Sequence, residues 1–396
     1  MNDISLQRAR MNILEFTNGS LRYLDALPDV APADGFVWVY LDRTDFSRHL
    51  PELQSAAQRL GGSPLLELHA QDLGSDVHPS HYDSTSVYDL VIFRRLATQE
   101  EVHQDAERLA AVHAYHGQVG RPLIADRGMP EAFARINSRA VGFGIFDRFL
   151  ISVHPAGCYT AKTFIQRFLA DAKFNVEVQG ARSRLPPSPA ELVLRMVNSM
   201  VDSYLDLRRD LTAYLEQVQA DLIRPDSTRF NWGELMEARR QLHLLEDLCE
   251  EQQDAMQEWL DTLRELPLAL PEANADTAQS QARHDQLIAR ARDAIEHIAR
   301  VLHHARRLEQ SAETAVQIHF SAQGQRTNEI MRTLTAITAI FLPLNLFTGF
   351  FGMNFEHLPL IHSTEGMWTA FGFMVVLAIS LIVIFLRKRY LARTQR

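Results

Sequence analysis

Two long apolar stretches near the C-terminal end each predict a membrane-spanning helix. Leu334 to Phe351 contains no charged residue over about 18 positions, and Met367 to Leu386 contains none over about 20. About 20 helical residues rise roughly 30 Å, which is the thickness of the hydrocarbon core of a bilayer. The hydropathy pattern therefore predicts a membrane protein with two C-terminal transmembrane helices.

One side of the first predicted span is polar and small. Steps of three and four residues fall on one face of a helix, and one such series reads Asn328, Met331, Thr335, Thr338, Leu342, Asn345, Gly349 and Gly352. Asparagine and threonine at membrane depth are unfavourable unless they meet other helices or water. The series therefore either packs against protein or lines a pore. It continues upstream through Gly324, Ser321, Gln317, Thr314 and Gln310, where a packed interface would carry Leu or Ile, and this favours a pore.

Helical patterns fill the chain before the first span. Ser188 or Pro189 begins one predicted helix that runs to about Ile223, and a second runs from about Asn231 to Leu266. No proline occurs between Pro271 and Pro343, so an unbroken helix is predicted from Thr277 to Leu342. At 1.5 Å per residue that helix would be roughly 100 Å long. Such a helix predicts a stalk that leads directly into the first span.

Residues 1–185 alternate between strand-like and helix-like patterns, which predicts a mixed α/β (α+β) domain of strands covered by helices. The last two predicted strands are separated by little more than Asp147 and form a predicted hairpin. The predicted strands are Phe36 to Asp42, Val87 to Leu96, Ala140 to Phe146 and Arg148 to Pro155, and the predicted helices are Pro51 to Leu60 and Ala161 to Ala172.

Basic residues predict the orientation of the spans. Arg387, Lys388 and Arg389 follow the second span, Arg326 and Arg332 precede the first, and the loop between the spans has no Lys or Arg. Because positive residues mark the cytoplasmic side, both termini are predicted to be cytoplasmic in a multi-pass protein of the inner or plasma membrane. The N-terminal residues do not resemble a signal peptide.

Together these patterns predict an order of segments along the chain. They are a mixed α/β cytoplasmic domain at 1–185, antiparallel cytoplasmic helices at 186–275, a long stalk helix at 276–333, a pore-lining transmembrane helix at 334–351, an external loop at 352–366, a second transmembrane helix at 367–386 and a basic cytoplasmic tail at 387–396.

Composition narrows the class of function. The formal net charge is −9, with basic charge concentrated at the C-terminal end, so nucleic acid is not an expected partner. The two cysteines, Cys158 and Cys249, predict isolated buried thiols in a reducing compartment. No phosphate-binding loop, nucleophile elbow or zinc-protease motif occurs in the sequence, and an enzyme is not predicted.

Three residues raise the question of a metal site in the N-terminal domain. His78 and His81 are three apart and Asp83 is near, which is compatible with metal ligation. Pro79 and Ser80 between the histidines indicate a loop, and no second ligand pair follows at fixed spacing. Structural or surface histidines are therefore the preferred interpretation.

The end of the first span carries a more specific signal. Gly352-Met353-Asn354 closes it, after a long cytoplasmic helix and the sequence NEIMRTLTAITAIFLPLNLFTGF, and a short acidic loop follows. This arrangement resembles the CorA family of divalent metal-ion transporters. The resemblance implies a homopentamer with a mixed α/β cytoplasmic domain, a funnel of long helices and five first spans around one pore in the bilayer. It implies no cofactor other than the transported or regulatory divalent cation.

The resemblance also implies roles for individual residues. Gly352, Met353 and Asn354 would form an outer ring that receives a hydrated cation, and Asn345 would form a second ring. A hydrophobic constriction would gate the pore by excluding water. The constriction would consist of Met331, Leu334 or Thr335, and Leu342. Thr338 and Gly349 would line the pore, and Asn328 would lie at its cytoplasmic mouth. Glu356 and Glu365 would attract cations in the loop, and Asp285 and Asp293 are candidate regulatory ligands or simply solvated charges.

Two departures from the family pattern affect the choice of ion. Gln317 stands where the family often has an acidic residue, and the loop contains His357 and His362. Histidine favours Zn²⁺, Ni²⁺ or Co²⁺, although incidental loop residues are the preferred interpretation of these two. The first hypothesis is a magnesium transporter that also passes Co²⁺ or Ni²⁺. The alternatives are a zinc transporter of the ZntB branch and a membrane-anchored sensor or scaffold that transports nothing.

Overall fold

The computed structural model describes residues 11–17, 20–115, 131–177, 185–223, 232–265, 277–353 and 364–387. The chain divides into two compact units, residues 1–313 and 314–396. The strands are β1 (Asn12–Thr17), β2 (Ser20–Leu24), β3 (Gly35–Asp42), β4 (His81–Ser84), β5 (Asp89–Arg95), β6 (Arg139–Ile145) and β7 (Phe149–His154). The helices are α1 (Arg43–Ala56), α2 (Glu67–Gly74), α3 (Gln99–Tyr115), α4 (Glu131–Ala134), α5 (Tyr159–Glu177), α6 (Pro189–Asp202), α7 (Tyr204–Ile223), α8 (Trp232–Glu265), α9 (Thr277–Phe351) and α10 (Thr364–Arg387).

The described strands of the first unit form one mixed sheet in the order β2-β1-β3-β7-β6-β5-β4. Only the central pair among them, β3 and β7, is parallel, with Val37 opposite Phe149. One face packs under α1 and α2 through Phe46, Leu53 and Leu73. On the other face the ring of Phe16 lies 5.8 Å from that of Phe168 on α5. The sheet is therefore covered by helices on both faces, which confirms the predicted mixed α/β domain.

The predicted strands are confirmed as β3, β5, β6 and β7, and β6 and β7 pair as the predicted antiparallel hairpin. The predicted helix start at Pro51 is wrong. Helix α1 begins at Arg43, directly after β3, and contains Pro51 in its interior, where that residue is exposed. The apolar side chains that set this helix against the sheet, Phe46 and Leu53, begin before the proline.

The prediction of a single helix from Ser188 to Ile223 is also wrong, because the helix is interrupted at Ser203, between α6 and α7. The Ser203 hydroxyl donates to the carbonyl oxygen of Met200, a local bond that competes with helix continuation. The N-terminus of α6 follows the prediction: Ser188 Oγ accepts from the backbone N–H of Glu191 at 3.3 Å, and Pro189 occupies the first turn.

Helix α8 matches its predicted extent from about Asn231 to Leu266 closely. Helix α9 contains 75 residues and continues through Pro343 to Phe351, so the helix predicted to Leu342 and the span predicted at Leu334 to Phe351 form one helix. Both cysteines are buried and free, as predicted. The Cys158 thiol donates to the carboxylate of Asp42 with an Sγ–Oδ1 distance of 2.7 Å. Burial raises the pKa of Cys249 to about 12, so this thiol remains protonated at neutral pH.

Candidate functional site

Two described helices are long and apolar enough to cross a membrane. The spans lie within Ser280–Phe351, with a window of mean hydropathy 1.7, and within Glu365–Phe385, with a window of 2.5. Only 11% and 0% of these windows are buried in the structure, whereas the core helix of a soluble protein is mostly buried. The two predicted C-terminal apolar helices are therefore present.

One side of α9 is turned towards α10. The rings of Phe347 on α9 and Phe373 on α10 have centroids 5.3 Å apart. The buried and partly buried residues of this part of α9 recur every three or four positions, on the side that carries Phe347. They are Ala336, Ala339, Ile340, Pro343, Leu344, Phe347 and Phe351.

The predicted polar series occupies the other side of α9. At about 100° per residue, its members cluster roughly half a turn away from the side that carries Phe347. Every member is exposed in the single chain, and so is Leu334, the alternative to Thr335 in the predicted constriction. Met331 and Leu334 are each 57% exposed and Leu342 is 67% exposed. The exposed members are Asn328, Met331, Thr335, Thr338, Leu342, Asn345, Gly349 and Gly352.

Hydrogen bonds correct one expectation about this surface. Thr335 Oγ1 donates to the carbonyl oxygen of Met331 at 2.7 Å, and Thr338 Oγ1 donates to that of Leu334 at 2.9 Å. The threonine hydroxyl donors are thus satisfied within the helix and need no neighbouring helix or water, which the sequence did not show. Within the predicted span 334–351, Asn345 remains the strongly polar member of the series, since a carboxamide has two N–H donors as well as an acceptor oxygen.

The helix ends as the Gly-Met-Asn motif begins. The backbone N–H of Gly352 donates to the carbonyl oxygen of Thr348 at 2.9 Å, and that of Met353 to Phe350 at 3.4 Å. A Cβ at position 352 would lie 3.0 Å from the Thr348 oxygen, so glycine suits this close turn. Asn354, Glu356, His357 and His362 lie outside the described residues.

Among the residues expected to attract or sense cations, Glu365 lies exposed in the first turn of α10, where a carboxylate is favoured by the helix dipole. The stalk carboxylates have separate partners. Asp285 Oδ1 accepts from Gln281 Nε2 at 3.1 Å, whereas Asp293 lies 3.6 Å from Nε2 of His297. Within the described part of the chain, neither aspartate belongs to a group of ligating atoms close enough to hold a metal.

The histidine pair of the N-terminal domain does not meet the carboxylate that its sequence position indicated. His78 Nε2 lies 3.0 Å from Asp72 Oδ1, and His81 Nε2 lies 3.8 Å from Asp72 Oδ2. Asp83 instead lies 2.9 Å from Nε2 of the buried His69. Since Asp72 and Asp83 face different histidines, the preferred interpretation of structural histidines agrees with the geometry.

Comparison with known proteins identifies the proteins to which this chain is similar. Residues 129–389 match the family model described as "CorA-like Mg2+ transporter protein". The chain is 30% identical over 100 residues to the cobalt/magnesium transport protein CorA of Thermotoga maritima and 36% identical over 76 residues to that of Methanocaldococcus jannaschii. These alignments cover 25% and 19% of this chain, and 28% and 24% of the two relatives, so the similar stretch spans about a quarter of each relative.

Solved structures share the whole fold. The complete CorA magnesium transporter of Methanocaldococcus jannaschii superposes with a TM-score of 0.60 at 15% identity, covering 96% of this chain and 98% of that one. Full-length CmaX superposes with a TM-score of 0.54 at 17% identity, covering 96% and 97%. At these identities the likeness concerns the fold alone. The family match covers most of the chain, and the protein therefore belongs to the CorA-like Mg²⁺ transporter family.

Proposed function

We propose that this protein transports divalent cations, with Mg²⁺ as the main substrate, across the inner or plasma membrane along the polar side of α9. The observation that carries the proposal is the division of α9 into two sides. Phe347 meets α10, while the series containing Asn345 lies on the other side and is exposed in the single chain. A helix that only anchored a sensor or scaffold would have no use for a carboxamide at that depth.

The residue types suit a hydrated cation. Mg²⁺ gives up its water reluctantly, so neutral oxygens that bind the hydrated ion avoid the cost of dehydrating it. In this proposal Asn345 and Asn354 supply such oxygens, with Gly352 and Met353 completing the outer ring. Met331, Leu334 and Leu342 form the constriction that blocks ions when water is excluded from it. Asn328, Thr335, Thr338 and Gly349 line the path between these points.

A single helix cannot enclose a path for ions, so the proposal requires several copies of the chain. We take the assembly to be a homopentamer with both termini in the cytoplasm, as the family resemblance and the basic residues indicate. The carboxylates Glu356 and Glu365 would then attract cations at the external mouth, and Asp285 and Asp293 stay candidates for regulatory ligands. The mass of the detergent-solubilised complex tests the number of subunits, and a mass other than five subunits contradicts it.

The choice of ion follows from the relatives named for cobalt and magnesium transport. An uptake assay in proteoliposomes tests it, with Mg²⁺ entry measured alone and in competition with Zn²⁺, Co²⁺ and Ni²⁺. We expect Mg²⁺ uptake that Co²⁺ and Ni²⁺ reduce. Entry of Zn²⁺ without Mg²⁺ would support the zinc alternative instead, and entry of none of these ions would support the sensor or scaffold.

A further inference from the structure

Helices α8 and α9 bring together three side chains that the proposed transport path does not use. His243 and Glu246 lie three residues apart on α8, and Glu309 lies on α9. One ligand atom from each of the three residues lies within 4.8 Å of the other two. All three belong to the unit formed by residues 1–313. The fold therefore assembles an imidazole and two carboxylates from segments that are distant in sequence.

One carboxylate oxygen of Glu246 accepts a hydrogen bond, and the other lies near His243 without accepting one from it. Arg306 Nε donates to Glu246 Oε1 at 2.6 Å, and the same guanidinium also donates to Glu250. Glu246 Oε2 lies 3.9 Å from Nδ1 of His243, which is too far for a hydrogen bond. Ligating carboxylates in metal sites are commonly fixed by such an outer hydrogen bond. Arg306 thus leaves one Glu246 oxygen available next to an available imidazole nitrogen.

The second carboxylate is also loosely held. Glu309 Oε1 lies 3.8 Å from Nε of Arg239, beyond hydrogen-bonding distance. The side chains of Glu246 and Glu309 are 16% and 28% exposed, so both are partly shielded from water. Two guanidinium groups, Arg239 and Arg306, face three carboxylates when Glu250 is included. The cluster therefore keeps an excess of negative charge that favours a cation.

The three ligand atoms lie within 4.8 Å of one another, and a small tetrahedral ion would draw them closer together. Bonds of about 2.0–2.2 Å at tetrahedral angles hold the ligand atoms roughly 3.3–3.6 Å apart. The 3.9 Å between His243 Nδ1 and Glu246 Oε2 reaches this range with a small side-chain adjustment. Imidazole nitrogen and carboxylate oxygen are both Zn²⁺ ligands, and a site with three protein ligands leaves the fourth position to water. Mg²⁺ instead prefers six oxygen ligands, most of them water.

We infer that His243, Glu246 and Glu309 form a binding site for Zn²⁺, Co²⁺ or Ni²⁺ that ties α8 to α9. The site lies outside the polar series of α9 and would exist whether or not the protein transports ions. Of the other charged side chains facing it, Arg239 and Arg306 orient the ligands and reduce the negative charge that the metal must neutralise, while Glu250 shares the Arg306 guanidinium with Glu246.

Co²⁺ titration of the full-length protein in detergent, after treatment with a chelator, tests the site through the visible absorption of the bound ion. We expect one Co²⁺ per chain in a four- or five-coordinate environment, and at least tenfold weaker binding of that ion in Glu309→Gln and in His243→Ala. His243 has a side chain that is 64% exposed, so its replacement leaves the packing intact. The matched controls are His303→Ala and Glu313→Gln, exposed residues of α9 outside the group.

Two results would overturn the inference. One is a Co²⁺ spectrum and affinity that are the same in the wild type and in both ligand variants, since any remaining Co²⁺ would then be bound elsewhere, including the transport path. The other concerns thermal stability. Zn²⁺ should raise the unfolding temperature of the wild type but not that of Glu309→Gln. An equal rise with Mg²⁺ at the same concentration would contradict the proposed class of metal. Loss of transport alone bears on neither result.

Discussion

The ring of Phe347 contacts the ring of Phe373 across the two C-terminal helices, with centroids 5.3 Å apart and planes inclined by 32°. Asn345 precedes Phe347 by two residues, and two residues turn a helix by about 200°. The contact with α10 therefore leaves Asn345 on the far side of α9. If several chains assemble through α9, this side is the one that can enclose a polar path, and Leu342 lies on it.

Leu342 tests the proposed constriction. Leu342→Asn introduces a polar group where the pore would exclude water, and hydrophobic constrictions close by losing water. We expect the variant to pass Mg²⁺ several-fold faster than the wild type under conditions that keep the wild-type pore closed. Val376→Ala, on the exposed side of α10, is the control and should transport at the wild-type rate. Equal flux through Leu342→Asn and the wild type would place the gate elsewhere.

A buried ion pair tests the energetics of the first unit. Arg95 and Glu101 are 4% and 6% exposed, and two guanidinium N–H groups donate to the carboxylate at 2.8 and 2.7 Å. Glu101→Gln leaves the guanidinium charge buried without compensation, which is expected to lower the free energy of unfolding by about 3–5 kcal/mol at pH 7. Denaturant unfolding followed by tryptophan fluorescence measures it. Glu107→Gln, at a side chain that is 69% exposed, should change it by less than about 0.5 kcal/mol.

The same pair predicts a dependence on pH. Burial by itself raises the pKa of Glu101, but the hydrogen bonds and charge of Arg95 outweigh it and hold the pKa below its ordinary value of 4.5. The stabilisation is therefore complete above pH 4.5 and is lost as the pH falls through the lower folded pKa. In Glu101→Gln this loss should be absent. An equally steep loss of stability below pH 4.5 in the variant would assign it to other groups.

His154 makes the folding stability depend on pH in a higher range than Glu101 does. Burial, with the charges of Arg95 and Arg43, lowers the pKa of His154 from 6.5 to about 3. The unfolded chain therefore binds a proton between these values that the folded chain does not, and stability falls on acidification by up to about 1.4 kcal/mol per pH unit. In His154→Phe the free energy of unfolding should depend less steeply on pH between pH 6.5 and 4 than in the wild type. Replacement of the exposed His103 by phenylalanine is the control. The same dependence of the unfolding free energy on pH in His154→Phe and the wild type would refute this role of His154.

The sequence predicted several elements with long apolar runs, but not β1, although its Ile13, Leu14 and Phe16 are buried. The run Phe36 to Asp42 became β3, which pairs with the central strand β7, and the stretch without proline after Pro271 became α9. Strand β4 was missed because His81–Ser84 is short and polar, and it exists only through its pairing with β5. The pairing of His78 and His81 with Asp72 was also not predicted, because the carboxylate lies six and nine residues before them and no local pattern relates the three.

The candidate site shows the same limit. A period of three and four residues was enough to predict which residues of α9 share the side that carries Asn345. It did not show that the hydroxyls of Thr335 and Thr338 are bonded to their own helix, because that depends on side-chain conformation. The group of His243, Glu246 and Glu309 was not predicted either, since it requires the packing of α8 against α9.

Mg²⁺ flux through proteoliposomes containing Asn345→Leu decides whether the polar side of α9 carries the ion. The wild type, Asn345→Leu, Asn354→Ala and the control Val376→Ala would be compared at equal protein content, with subunit number checked by size. We predict that wild type and Val376→Ala take up Mg²⁺ at equal rates and that both asparagine variants lose about tenfold or more, equivalent to about 1.4 kcal/mol. Wild-type flux through both asparagine variants, or no flux of any divalent cation through the wild type, would contradict the proposed path.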